Sequence, residues 1–152
     1  MARHPEHPSQ PARTLLLGVA ADPQQAARAR AEGADLVDAR GATAGGLAAI
    51  RASLPGAVLW DGQPAGEPVD VDRLAVQAAG QAGRGAGAGI GTGIGTGSRD
   101  LAGAVIATAA ICTWLGAPLI RSRHTAAVRQ AIDMTESIAG GRPPARTVRG
   151  LA

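Results

Sequence analysis

Apolar positions fall into two periods along this chain, and the first to appear is continuous. "TLLLGVA" at 14–20 is an unbroken apolar run between turn residues, as in a strand buried on both faces. "DPQQ" then changes the pattern. Asp22 fits a helix N-cap, Pro23 the first helical position, and Gln25 the place where a capping box carries Glu or Gln. The predicted helix runs to about Glu32, with Gly33 as its stop. "ADLVDA" at 34–39 predicts a second strand. Thr43 caps a second helix with Leu47, Ile50 and Leu54 on one face, ended by Pro55 and Gly56. "AVLWDG" at 57–62 predicts a third strand. Such a β-α-β-α-β run with short connections implies parallel strands joined by right-handed helical crossovers.

The pattern then breaks. Residues 63–97 offer a Pro-rich loop, one short helix near 72–79 and no convincing strand. From Gly83 to Gly97 every odd position is glycine. A dinucleotide fingerprint needs glycines at i, i+2 and i+5, which strict alternation excludes. A P-loop needs a lysine, and this chain has none. The stretch reads as a flexible connector, and 81–97 is expected to lack regular structure. Periodicity returns at Ser98, which can cap a helix running to about Leu115 and ended by Gly116. A fourth strand is expected at 117–121. A last helix at 125–139 places Val128, Ala131, Ile132, Thr135 and Ile138 on one face. The expected organisation is a disordered tail (1–13), a β-α-β-α-β half (14–62), a Pro/Gly-rich linker (63–97), an α-β-α segment (98–141) and a loose tail (142–152).

Composition narrows the function classes. The 152 residues suit one domain, with a thin core of Leu, Ile, Val and Ala, because Trp60 and Trp114 are the only aromatic residues. All fifteen basic residues are arginine, and the net charge is +3. They are scattered among acids without aromatic neighbours, so no nucleic-acid partner is expected. The lack of lysine excludes Schiff-base chemistry. The lone Cys112 allows neither an internal disulfide nor a cysteine metal site. Residues 101–120 carry no charge and are long enough for a membrane span. Gly116 and Pro118 interrupt them, so a buried helix followed by a strand is the reading preferred over a small membrane protein. A cytoplasmic location without membrane contact is expected.

Ligands of parallel α/β folds sit at the carboxyl ends of the strands. That rule selects Asp22 after the first strand, Asp38 with Arg40 after the second, Asp61 after the third, and Arg121, Arg123 and His124 after the fourth. Asp38 closes an apolar strand and belongs at the rim. "RSRH" (121–124) can hold an anion such as phosphate or pyrophosphate. Asp22 also suits a helix cap, and Asp61 before Gly62 an ordinary turn.

Two stretches carry a resemblance. "AARARAEGADLVDARGA" is similar to the second-strand region of dihydropteroate synthases, and "SRDLAGAVIATAAICTWLGAPLIRSRHTAAVRQAIDM" resembles that family's closing segment, with Gly-Ala, a strand, Arg-x-His and a final helix. The resemblance implies a (β/α)₈ barrel of folate biosynthesis, a transferase that condenses a pterin pyrophosphate with p-aminobenzoate in the presence of Mg²⁺. It places Arg121 on the anion-binding arginine, Asp38 on the aspartate ending the second strand, and Arg99 within a pterin-binding Ser-Arg-Lys. It also has departures. Ala21 stands where the family has asparagine, "GATAGG" replaces an acid-rich loop, Arg123 takes the histidine position with His124 displaced by one, and Asp100 falls where the lysine belongs.

The expected fold is therefore α/β, a partial, TIM-barrel-like layer of parallel strands and helices, with the Gly-rich linker replacing the lost middle of a barrel. The expected protein is a noncatalytic, pterin-binding-fold relative that binds a pterin or another phosphate-bearing small molecule at Asp38, Arg121, Arg123 and His124, with Asp22, Asp61 and Arg99 as further candidates and no metal or cofactor. An active synthase using Mg²⁺ is the alternative. An open parallel sheet leaves edges and apolar surface, which implies a homo-oligomer or pairing with a full-length homologue, with Leu101, Val105, Cys112 and Leu115 near the contact.

Overall fold

A computed structural model describes residues 13–60, 67–85 and 98–140. The elements run β1 (Leu15–Val19), α1 (Pro23–Ala31), β2 (Leu36–Asp38), α2 (Ala44–Ser53), β3 (Val69–Asp70), α3 (Val71–Gly85), α4 (Ser98–Trp114), β4 (Leu119–Ser122) and α5 (Thr125–Ile138). All strand pairs are parallel, in the order β2-β1-β4-β3. The first and last strands of the chain thus lie side by side at the centre. Leu17 of β1 stands between Leu36 and Arg121.

Local chemistry sets the ends of the helices. Asp22 caps α1 by accepting from the Gln25 N–H at 2.8 Å, and Gln25 Oε1 reaches back to the Ala21 N–H at 3.1 Å. Thr43 caps α2 through the Gly46 N–H at 3.1 Å. Gly33, at φ +97°, turns the chain out of α1 toward β2.

The helices gather on one face of the sheet. Leu16 and Ile120 pack with Val71 and Ala75 of α3, Val105 and Ala109 of α4, and Val128 and Ile132 of α5. Val37 packs with Ala26 of α1 and Ile50 of α2. A side chain at Gly18 would come within 2.8 Å of the Ala29 Cβ and 3.1 Å of the Ala34 Cβ, so α1 sits directly on the strand backbone there. On the other face Leu17 and Leu119, with Leu15 and Leu36, pack on Trp60. A layer with its helices on one side is what a segment of a (β/α) barrel would show, but this sheet is open: β2 and β3 are its ends.

Several expectations need correction. The third strand at 57–61 reduces to one bridge, Leu59 to Val37, held by the Val37 N–H to the Val58 carbonyl (3.0 Å) and the Trp60 N–H to the Val37 carbonyl (2.9 Å). It lies on the outer side of β2, where Val58 is more than half exposed and, among the described residues, no further strand pairs with it. A true strand, β3, falls in the stretch read as loop. It has two residues and runs straight into α3, too short to leave a period. α3 continues to Gly85, so 81–85 is helical, while 86–97 lies outside the described residues. The glycine stretch therefore joins two helices, α3 and α4, that pack on each other. The bridge at Leu59, on the outer side of the end strand β2, is followed in the chain by β3 at the other end of the sheet. α4 ends at Trp114, Gly116 turns at φ +81°, and β4 follows. Among the described residues no helix is long and apolar enough to cross a membrane.

Candidate functional site

Strand alternation sends Asp38 and Arg121 to the face that carries Trp60. Asp38 is two residues beyond Leu36, and Arg121 is two beyond Leu119. The register sets Val19 opposite Asp38, and Asp70 opposite Arg121, so the carboxyl ends of all four strands converge. Arg121 reaches across β1 to donate from Nε to Asp38 Oδ2 at 2.7 Å, and its Nη1 donates to Asp70 Oδ2. Arg40, in the turn after β2, folds back on Asp38. Its backbone N–H and Nε donate to Oδ1 at 3.0 and 2.9 Å, and its Nη2 donates to Oδ2 at 2.9 Å. The Arg40 guanidinium lies 4.1 Å from the centroid of the Trp60 ring.

Asp38 is 1% exposed and accepts four hydrogen bonds, two on each oxygen. A carboxylate has about four lone-pair sites, so none is left for a substrate proton or a metal. Burial pushes its carboxyl group up. The bonds from Arg40 and then Arg121 outweigh burial and hold it down at about 2. Burial likewise opposes the Arg121 charge, and Asp38 and Asp70 more than restore it. Two carboxylates face two guanidiniums, and the Asp38 carboxyl group, held at about 2, exchanges no proton near neutral pH. The arrangement suits binding and scaffolding rather than acid–base work.

A cleft of about 550 Å³ opens beside this network, bordered by Arg40, Glu67, Asp70, Arg73, Leu74 and Arg121. Arg73 is exposed at the start of α3, where its N–H donates to Asp70 Oδ1 at 2.9 Å. It gives the cleft a cation, and among the described residues no carboxylate pairs with its guanidinium.

The other sequence candidates separate from this cluster. The "RSRH" turn is pinned from within by Asp72, which accepts from Ser122 Oγ (2.6 Å) and the Arg123 N–H (2.8 Å). The His124 N–H donates to Ser122 Oγ at 2.9 Å. The Arg123 and His124 residues are exposed, and Arg123 borders a second hollow of about 220 Å³ with Arg28, Glu32 and Thr125. Asp22 is occupied as the α1 cap, its Oδ2 accepting from Gln25 Nε2 at 2.6 Å. Arg99 lies in the first turn of α4, and Asp61 lies outside the described residues. Sequence reasoning did not select Asp70, Asp72 and Trp60. The signal for the acids was the alternation in "VDVDR", which puts one aspartate at a strand end and the next in a first helical turn. Among the described residues no group of three or more His, Cys, Asp or Glu could hold a metal ion, and arginine takes both oxygens of Asp38.

Comparison with known proteins gives one partial likeness. A stretch of 52 residues, 34% of this chain, is 48% identical to proteins described as inactive dihydropteroate synthase 2 from Mycobacterium bovis and Mycobacterium tuberculosis. The match spans only 16% of the length of those relatives. No family model matches the chain, and no solved structure does.

Proposed function

We propose that this protein is a noncatalytic relative of the dihydropteroate synthases, a remodelled piece of a pterin-binding barrel. In this reading it binds a phosphate-bearing small molecule in the cleft at the carboxyl ends of its strands. The observation that carries the reading is the state of Arg121. The resemblance places this residue on the arginine that holds the substrate anion, yet here it is tied to Asp38 and Asp70. A guanidinium already neutralised by two carboxylates offers little to a leaving pyrophosphate, whose stabilisation is the main electrostatic task of the condensation. The partial likeness to relatives described as inactive points the same way. Ligand contact then falls to Arg73 and to the outer side of Arg40, with Asp38 and Arg121 as scaffold. The protein would act in the cytoplasm, beside folate synthesis rather than within its chemistry.

Two measurements test this. In cells with this protein as their sole dihydropteroate synthase, no growth is expected without folate products, and growth would overturn the noncatalytic reading. Calorimetry with a pterin pyrophosphate is expected to show binding that does not require Mg²⁺ and is weakened by Arg73→Ala. Tight binding that depends on Mg²⁺ would support the enzyme instead.

A further inference from the structure

The two tryptophans are placed in opposite ways. Trp114 ends α4 and is 63% exposed. Earlier on that helix Val105 is fully buried in the core, so it is not available for the association expected of it. Trp60 is 7% exposed and packs on Leu17 and Leu119, on the face of the sheet that the helices leave free. Its indole Nε1 is buried and has no hydrogen-bond partner among the described residues. A buried indole N–H normally finds an acceptor, and one left unpaired costs stability. Phenylalanine would cover much of the same leucine surface without that cost. What tryptophan adds is the face of its ring, which attracts a cation better than any other side chain does. The Arg40 guanidinium lies over that face, 4.1 Å from the centroid. A local rule broken in this way, with a gain of another kind beside it, is the mark of a functional position.

Arg40 is a side chain that needs holding. It is 53% exposed, and a long exposed side chain loses rotamer freedom when it grips a ligand. Asp38 fixes one edge of the guanidinium, through Nε and Nη2 at 2.9 Å each. Two bonds along one edge leave the plane free to rock about the line of the carboxylate oxygens. A flat ring against that plane removes the remaining freedom. Nη1 donates to none of the described residues, and Arg40 borders the cleft together with Arg73 and Arg121. Trp60 itself does not border it. We infer that Trp60 is a positioning residue of the cleft: its ring fixes the plane of the Arg40 guanidinium, so that Nη1, which Asp38 leaves over, is held ready for an anionic ligand. The inference rests on the reading that the cleft takes a phosphate-bearing molecule, and it names the side chain that prepares the cleft for it. Trp60 acts through Arg40, and a cation ordered in advance gives up less entropy when the ligand arrives.

Two measurements on the full chain test it, with inorganic pyrophosphate as the probe. In calorimetry Trp60→Leu is expected to weaken pyrophosphate binding about fivefold, the worth of a partly exposed cation–π contact. Trp60→Phe keeps a ring against the guanidinium and is expected to recover most of that loss. In an Arg40→Ala background Trp60→Leu is expected to change nothing further, because a residue that acts through Arg40 has no effect once Arg40 is gone. The order of Arg40 is read without ligand, from the NMR signal of its Nε–H. One sharp, slowly exchanging resonance is expected in the wild type and in Trp60→Phe, and a broadened, fast-exchanging one in Trp60→Leu. Trp60→Met, bulkier than leucine and also without a ring, takes the place of Trp60→Leu if that variant misfolds. Equal losses with and without Arg40 would make Trp60 a packing residue and overturn the inference. An Arg40 resonance indifferent to loss of the ring would overturn it as well. A wild type that binds no pyrophosphate would instead remove the phosphate reading of the cleft, and the Arg40 resonance would still decide whether Trp60 positions that side chain.

Discussion

Two aspartates three residues apart mark the two ends of β2, Asp35 just before it and Asp38 as its last residue, and each anchors an ion-pair cluster at one end of the sheet. The clusters are built in opposite senses. At the carboxyl end an acid is buried between arginines: Asp38 is 1% exposed, and Arg40 and Arg121 close over it with side chains 53% and 24% exposed. At the amino end an arginine is buried between acids. Arg129, 11% exposed, pairs with Asp35 and Asp133, each at 3.0 Å. Asp35 also accepts the Leu16 N–H at 2.8 Å and pairs with Arg13 at 3.3 Å. A carboxylate is compact and needs every lone pair bonded once it leaves water. An arginine is amphipathic: its stem packs under Gly33, whose missing side chain would stand 2.9 Å from Cγ, while its charge is delocalised. The carboxyl end ties strand to strand beside a cleft. The amino end ties the sheet to α5 and to the start of β1. The first is therefore the costlier construction and the one placed where a ligand would act.

The largest effect should come from removing the buried acid. Asp38→Ala leaves Arg40 and Arg121 facing each other over the hole. Breaking a buried pair by deleting one partner costs about 3 kcal/mol. Denaturant unfolding should show that loss, and Asp70→Ala, at a residue 26% exposed, should lose clearly less. Equal losses would mean that the cluster stabilises by total charge and not by the burial of Asp38.

Acid should expose the same asymmetry without mutation. The carboxyl group of Asp38 is held at about 2 in the folded protein against 3.8 when unperturbed. A depressed carboxylate stabilises the fold fully above its unfolded value, and that contribution is lost as pH falls through the folded one. The window is thus pH 4 down to 2, and the loss across it is about 2 kcal/mol. Unfolding free energy followed by denaturant titration should fall over that range. Asp38→Asn should flatten the fall, and a wild-type profile matching that of the variant would remove Asp38 as its source.

How far this contrast could be read in advance depends on the length of the elements. Asp38 is the last residue of its strand and Arg121 the last but one of its own, and both follow clear apolar positions, so the rule of strand ends finds both. Asp70 closes a two-residue strand that merges with α3, and so short an element has no period to detect. Arg123 and His124 share a turn with Arg121 but leave the cluster, because Asp72 holds that turn and the strand alternation ends at Ser122. The helices were legible because their ends are local chemistry: Asp22 with Pro23, Thr43, Gly33 and Gly116. The amino-end cluster was not, since Asp35 and Arg129 are 94 residues apart and are brought together by the tertiary fold, in which β1 pairs with β4.

A smaller effect is expected at the amino end. Arg129→Met keeps most of the packed stem and deletes the charge. Asp35 and Asp133 are 21% and 34% exposed, so water can replace part of what they lose, and Asp35 keeps its bonds from Leu16 and Arg13. The cost should be about 1 kcal/mol, a third of that at Asp38. Thermal or chemical unfolding of the two variants side by side measures the ratio. A loss at Arg129 as large as at Asp38 would reverse the ranking of the two ends.

The smallest effect sharpens the amino end from within. Arg13 pairs with Asp35 at 3.3 Å, but its side chain is 59% exposed. An exposed pair gains little in high dielectric and must fix a long side chain to do so. Asp35 loses little without it, because Arg129 and the Leu16 N–H still occupy Oδ2. Arg13→Ala should therefore change stability by less than about 0.5 kcal/mol, and even that should vanish at high salt. The double variant Arg13→Ala/Arg129→Met makes the comparison stricter. With both cations gone, Asp35 has only one backbone N–H and water. If the double loss exceeds the sum of the single ones, Arg13 acts as a reserve partner that matters only when the buried arginine is missing. If the losses add, Arg129 alone joins α5 to the sheet at this end, and Arg13 is a surface charge that happens to lie near.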